Sequence, residues 1–201
     1  MKRGAMFGLD ARIALAIFGA LSVISGAALY SAIQESRIVS FLSQVDEITK
    51  AHEAYILDVG SAPPLSGRTY EAYNLVENKE GVSGWNGPYL NDFTIKDSAP
   101  LGLYKGDVSY IIGNRPNTAW AGTDGVDSNW TGCSIALGSC YVFISLSITS
   151  KSFAEALDLR VDGSIDYKNG DVRVYSRNTG DDSKDFQVYV KTMISTDQPT
   201  S

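Results

Sequence analysis

Histidine occurs once in the 201-residue chain, as His52, and cysteine twice, as Cys133 and Cys140. These shortages exclude several chemistries. A zinc site built on the two cysteines needs two more soft ligands, and the single imidazole lies far away in sequence. Without a second histidine or a nucleophile elbow, triad catalysis has no support. The glycine-rich stretches contain neither a phosphate-binding loop nor a dinucleotide fingerprint opening a helix. No internal repeat is evident. The chain is also short of positive charge: the formal net charge is -6. Lys2, Arg3 and Arg12 against Asp10 leave the first 33 residues at +2, so the remainder carries -8. An acidic body of that kind is a poor partner for nucleic acid.

Charge is wholly missing from residues 13–33. Twenty-one uncharged residues from Ile13 to Ile33 suffice to span about 30 Å of hydrocarbon as a helix. The basic Lys2/Arg3/Arg12 side is expected to stay cytoplasmic, which exports the rest. A cleaved secretory signal is the alternative, but the apolar run exceeds the usual ~7–15 residues and has only a weak cleavage site in "ALYSA". Past Ile33 the apolar positions continue at helical spacing through Ile38, Phe41, Leu42, Val45, Ile48, His52, Tyr55, Ile56 and Val59. Glu35, Arg37, Gln44, Glu47, Lys50 and Glu53 take the other face. The two segments therefore predict one helix from about Leu9 to Asp58, roughly 75 Å long, stopped at Gly60 with Pro63 and Pro64 beyond. His52, on the buried stripe, is expected in the core and not as a catalytic base.

A short basic leader before a long helix that is apolar in its first half and amphipathic in its second resembles the type IV pilins and the pseudopilins of type II secretion. The resemblance gives Asp10 a role. In that family a prepilin peptidase removes the leader and methylates the new N-terminus, and an acid stands fifth in the mature chain. Cleavage between Ala5 and Met6 makes Asp10 the fifth residue. In an apolar helix bundle an unpaired charge is costly, so an acid that neutralises the terminal amine of a neighbour marks the assembly register. Ala5 stands where the family prefers Gly, and Asp10 where Glu is usual. Cutting after Gly4 or Gly8 instead would make Asp10 sixth or second. Without processing, Asp10 is an acid favoured at a helix start, or a partner for Arg12.

Beyond Gly60 turn formers are dense and only short elements fit. "RTYEAYNLVEN" is expected as a short helix, and "DVSYIIGN", "CYVFISLSI", "DVRVYSR" and "DFQVYVKTMI" as strands; "SKSFAEALDLRV" is expected as a second helix. "GWNGPYL" resembles the aromatic-Gly-Pro-Tyr-Leu turn of major pseudopilins. "KDSAPLGLYKGDVSYII" is similar in position to their acid-Pro-Gly turn and strand. "FAEALDLRVDG", then Asn169-Gly170 and "DVRV", is similar to a C-terminal pattern of many pilin-like proteins. The tail "STDQPTS" is expected to fray.

Cys133 and Cys140, in "TGCSIALGSC", are expected to close a turn or hairpin by a local disulfide if the head lies outside the cytoplasm; two free thiols are the other reading. Three acid-rich loops carry Asp124 and Asp127; Asp162, Asp166 and Asp171; and Asp181, Asp182 and Asp185. None has EF-hand spacing, and solvated turns account for them. Major pseudopilins bind calcium, which by resemblance points first to Asp124 and Asp127; no other cofactor is expected.

The fold class expected is α+β: a long N-terminal helix packed on a small antiparallel β-sheet head, pilin-like. Its divisions are a leader (1–5), a membrane and assembly segment (6–33), an amphipathic segment (34–60) and the head (61–201). The function implied is a non-enzymatic filament subunit of a type IV pilus or type II secretion pseudopilus. It would be held in the inner membrane and then moved into a periplasmic or extracellular fibre. Its partners would be further copies of itself, the prepilin peptidase, the assembly machinery and the bilayer. The other hypothesis is a membrane-anchored binding module that never polymerises.

Overall fold

The structure, a computed structural model, describes residues 6–96, 99–120, 132–176, 180–183 and 186–199. The proposed leader, Ala5 included, lies outside the described residues, as do Asp124, Asp127 and Asp185. The fold is α+β, with one long N-terminal helix and an antiparallel sheet. The chain divides into two compact units, Met1–Phe41 and Leu42–Ser201.

Helix α1 (Met6–Val59) runs without a break for 54 residues. Straight-chain and small residues dominate it, and no proline interrupts it before residue 63. It ends where the sequence predicts. Gly60 takes φ 84° and its N–H donates to the Ile56 carbonyl at 2.8 Å, a left-handed stop that costs a residue without Cβ nothing. Over the apolar run of residues 13–33 the side chains stand open: Leu15, Phe18, Val23 and Leu29 are all more than 60% exposed. Ser22 satisfies its hydroxyl inside the helix by donating to the Phe18 carbonyl at 2.8 Å.

In the second unit α1 turns one apolar stripe inward. Val45, Ile48, Ala51, His52 and Tyr55 are buried, at spacings of three and four that keep one face toward the core. His52 meets the edge of Tyr70 at 4.9 Å and Tyr55 that of Tyr89 at 5.8 Å. At the rim Tyr110 donates to Gln44, Tyr89 donates to Asp58 at 2.9 Å, and Lys105 pairs with Glu47 at 3.3 Å.

The sheet consists of β1 (Leu65–Ser66), β2 (Thr69–Tyr70), β3 (Thr94–Lys96), β4 (Ala99–Lys105), β5 (Val108–Pro116), β6 (Cys140–Thr149), β7 (Val172–Ser176) and β8 (Phe186–Ile194). Its main path runs β1-β2-β5-β6-β8-β7, while β3 and β4 continue from one end of β5. Every pair is antiparallel. The register aligns Ile112, Ile144, Val190 and Val172 in one row across β5, β6, β8 and β7, all buried. On the opposite face Trp120 packs edge-on against Phe143 and Tyr189, at 5.1 and 5.0 Å. Helix α2 (Lys151–Asp162) lies against β7 and β8 and buries Phe153, Ala154 and Leu157. Ser150 caps its start by accepting the Phe153 N–H at 3.3 Å, and Gly163 stops it at φ 75°.

Three expectations are corrected. "RTYEAYNLVEN" is not one helix: Thr69–Tyr70 is a strand and only Ala72–Leu75 coils, as a single 3-10 turn. Pairing of Thr69 with Gly113 and burial of Tyr70 outweigh the helical pattern there. "APLGLYK" is a strand that pairs with β5 through a tight turn at Gly106, where the sequence suggested only a turn. The tail is tied down through residue 198. Gln198 Nε2 donates to the Cys140 carbonyl at 2.9 Å, its Oε1 accepts the Cys140 N–H at 2.9 Å, and Asn114 Nδ2 donates to the Asp197 carbonyl at 3.0 Å.

Candidate functional site

No residue constellation among the described residues gathers three or more His, Cys, Asp or Glu side chains at metal-binding distance. The feature with a functional signature is α1. It contains an 18-residue window of mean hydropathy 2.1, none of it buried, near the N-terminus. By length and composition it is able to cross a membrane, as an anchor or as a signal sequence. Asp10 and Arg12, both exposed, lie at its opening, one turn inside its first described residue. Met6 begins the helix. The acid therefore sits within helical backbone, beyond the first turn of α1 as described.

Cys133 and Cys140 are brought together at disulfide distance, with Cα atoms 5.9 Å apart. Between them Ile135–Leu137 forms one 3-10 turn, and Gly138 takes φ 77° to bring the chain back to β6. The Cys140 main chain is then the anchor for the C-terminus. Ser195 N–H donates to its carbonyl at 2.9 Å, and the Ser195 hydroxyl meets buried Tyr70 at 2.7 Å. Burial pushes the Tyr70 phenol far above its ordinary value. This buried contact ties β2, β6 and the C-terminus together.

His52 is 1% exposed, and neither ring nitrogen has a hydrogen-bond partner among the described residues. Burial drives its pKa down to about 4, so the ring is neutral at physiological pH. It is a core residue, as the stripe implied.

The acids of the 162–171 loop stand in a turn open to solvent, Asp166 and Asp171 exposed, and hydrogen-bond its backbone. Asp162 accepts the N–H groups of Asp171 and Val172, both at 2.9 Å. Asp166 accepts from Lys168 N–H at 3.0 Å and from the Asn169 side-chain amide at 2.9 Å; these bonds, the Asn169 amide first, hold its carboxyl below the ordinary range. Asp181 likewise takes the Ser183 N–H at 3.0 Å. They are turn-capping acids. The sequence reading passed over Asp158, which is completely buried and accepts the Asp166 N–H at 2.9 Å. Its signal was available: Glu155, Asp158 and Asp162 recur at three and four residues and so share one face of α2.

No family model, no curated protein and no solved structure matches the chain. The functional reading consequently rests on the chain's own residues.

Proposed function

We propose that the protein is a pilin-like structural subunit that polymerises through the apolar first half of α1. The observation that carries this reading is the unbroken 54-residue helix, with an exposed apolar window in its first part and a buried stripe in the head. A helix used only to tether a head needs the apolar length but not the acid at Asp10. A shared helix bundle gives that acid a partner, the freed N-terminal amine of the next subunit, in surroundings where either charge alone is expensive. Burial of apolar surface between neighbouring helices, at about 25 cal/mol per Å² removed from water, supplies the cohesion once subunits leave lipid. Such contacts are heterologous and open, so they build a fibre and not a ring. The activity is mechanical. The acidic head forms the outer surface, and the disulfide and the tied C-terminus suit it to an exported, oxidising setting.

Intact-mass and N-terminal analysis of the protein from its native membrane or surface fraction tests the processing step. A chain beginning at Met6 with one added methyl group is expected. A chain that keeps Lys2 and Arg3 would identify a tethered module and return Asp10 to the role of a helix-start acid.

A further inference from the structure

Three carboxylates project from one face of α2 onto the segment that returns from the helix to β7. Glu155 accepts the Tyr167 hydroxyl at 2.6 Å, Asp158 Oδ2 accepts the Asp166 N–H at 2.9 Å, and Asp162 accepts the Asp171 and Val172 N–H groups. The three grips differ in solvation. Glu155 and Asp162 are partly open, whereas Asp158 is 0% exposed and its Oδ1 has no donor among the described residues. Asp162 follows Asp158 one turn later on the same face of α2, the spacing at which two helix side chains meet. Two acceptors that face each other in a buried corner repel unless a proton joins them.

We infer that in mild acid Asp158 of the folded head is a protonated carboxylic acid that donates its proton to Asp162, making the α2 clasp on residues 163–172 an acid-dependent lock. The proton belongs on Asp158 for a physical reason. Asp162 receives two backbone N–H bonds that stabilise its charge and keeps contact with water; Asp158 receives one and has none. The surroundings agree. The groups that interact with Asp158 are Asp162 of α2, Asp166 and Tyr167 of the return segment, and the Arg173 guanidinium of β7. Arg173 of β7 directs its guanidinium to the Gly170 and Val172 carbonyls, and Lys191 of β8 pairs with Asp171. Burial, with Asp162 and Asp166 adding to it, pushes Asp158 up to about 6. A folded-state value above the ordinary one means that the lock stabilises the head fully in acid, below the free Asp value of about 4, and that this contribution is lost as pH rises through about 6.

The test uses the full chain in detergent micelles. Carboxyl-carbon NMR of aspartate-labelled protein should show one resonance titrating about two pH units above the others, and that resonance should vanish in Asp158→Asn. Asparagine reproduces the protonated acid: its Oδ1 accepts the Asp166 N–H and its Nδ2 donates to Asp162. Relative to wild type, Asp158→Asn should therefore have the higher melting temperature by a smaller margin near about pH 5 than near about pH 7.5. Asp158→Ala should be less stable than either at about pH 5. If no aspartate titrates above about pH 5, or if the Asn variant differs from wild type by the same amount at both pH values, the inference fails. It fails equally if millimolar calcium raises the melting temperature of wild type but not of Asp158→Asn at about pH 7.5, since a cation would then join the two carboxylates.

Discussion

His52 lies with its ring edge 4.9 Å from Tyr70, its two nitrogens without partners and its pKa lowered to about 4 by burial. A depressed histidine value means that the fold tolerates only the neutral ring. The associated stability is present above the free value of about 6.5 and is lost as pH falls toward about 4. Its acid sensitivity thus has the opposite sign to that of Asp158. Replacing His52 with Leu removes the ionisation while keeping an apolar side chain, so the variant's melting temperature should fall less than that of wild type between about pH 6.5 and 4. Parallel curves would show that the ring is not the group that charges. Two further residues make sharper claims about packing. Gly84 has φ +85°, and a Cβ there would stand 2.6 Å from the Asp58 carbonyl oxygen at the end of α1. Gly84→Ala should cost about 1–2 kcal/mol from the left-handed backbone alone, with the collision adding to it, read by chemical denaturation. Cys133→Ser opens a short loop and should lower stability by about 2–3 kcal/mol in oxidising buffer; an unchanged unfolding midpoint would argue against the bridge.

Among elements, the sequence announces those whose signals are local. The 3.6-residue stripe of α1, its Gly60 stop, Ser150 ahead of α2 and the β-rich runs of β5, β6, β7 and β8 are all legible, because propensity, capping and burial agree there. Strands β2 and β4 were not legible. Thr69–Tyr70 carries a helical pattern, and its extended state comes from pairing with Gly113, which is distant in sequence. The anchored C-terminus was hidden for the same reason: Gln198 finds both hydrogen-bonding groups of Cys140 only after β6 and β8 have paired. Asp158 was missed on chemistry, since acids on a helix read as solvated until burial is known. The Ser150 cap makes its own prediction. Ser150→Ala should destabilise the head by about 1 kcal/mol through the lost Phe153 N–H bond, and hydrogen exchange should localise the loss to the first turn of α2.

For the whole molecule, the proposal is that one helix serves two solvents, lipid or a helix bundle along its first half and the head's own core along its second. The exposed apolar window is intolerable in water as it stands, since Leu15, Phe18, Val23 and Leu29 would all be hydrated. What distinguishes a filament subunit from a tethered head is whether Asp10 matters to assembly. Asp10→Ala should leave the head's stability unchanged, because the side chain is exposed at the far end of α1, yet it should deplete the chain from any fibre. The most direct measurement is electron microscopy of the sheared surface fraction with an antibody against the head, on cells carrying wild type or Asp10→Ala. Helical fibres decorated in wild type and lost in Asp10→Ala, with the variant chain retained in the membrane, are the predicted result; wild-type protein found only as an unassembled membrane species would contradict the account.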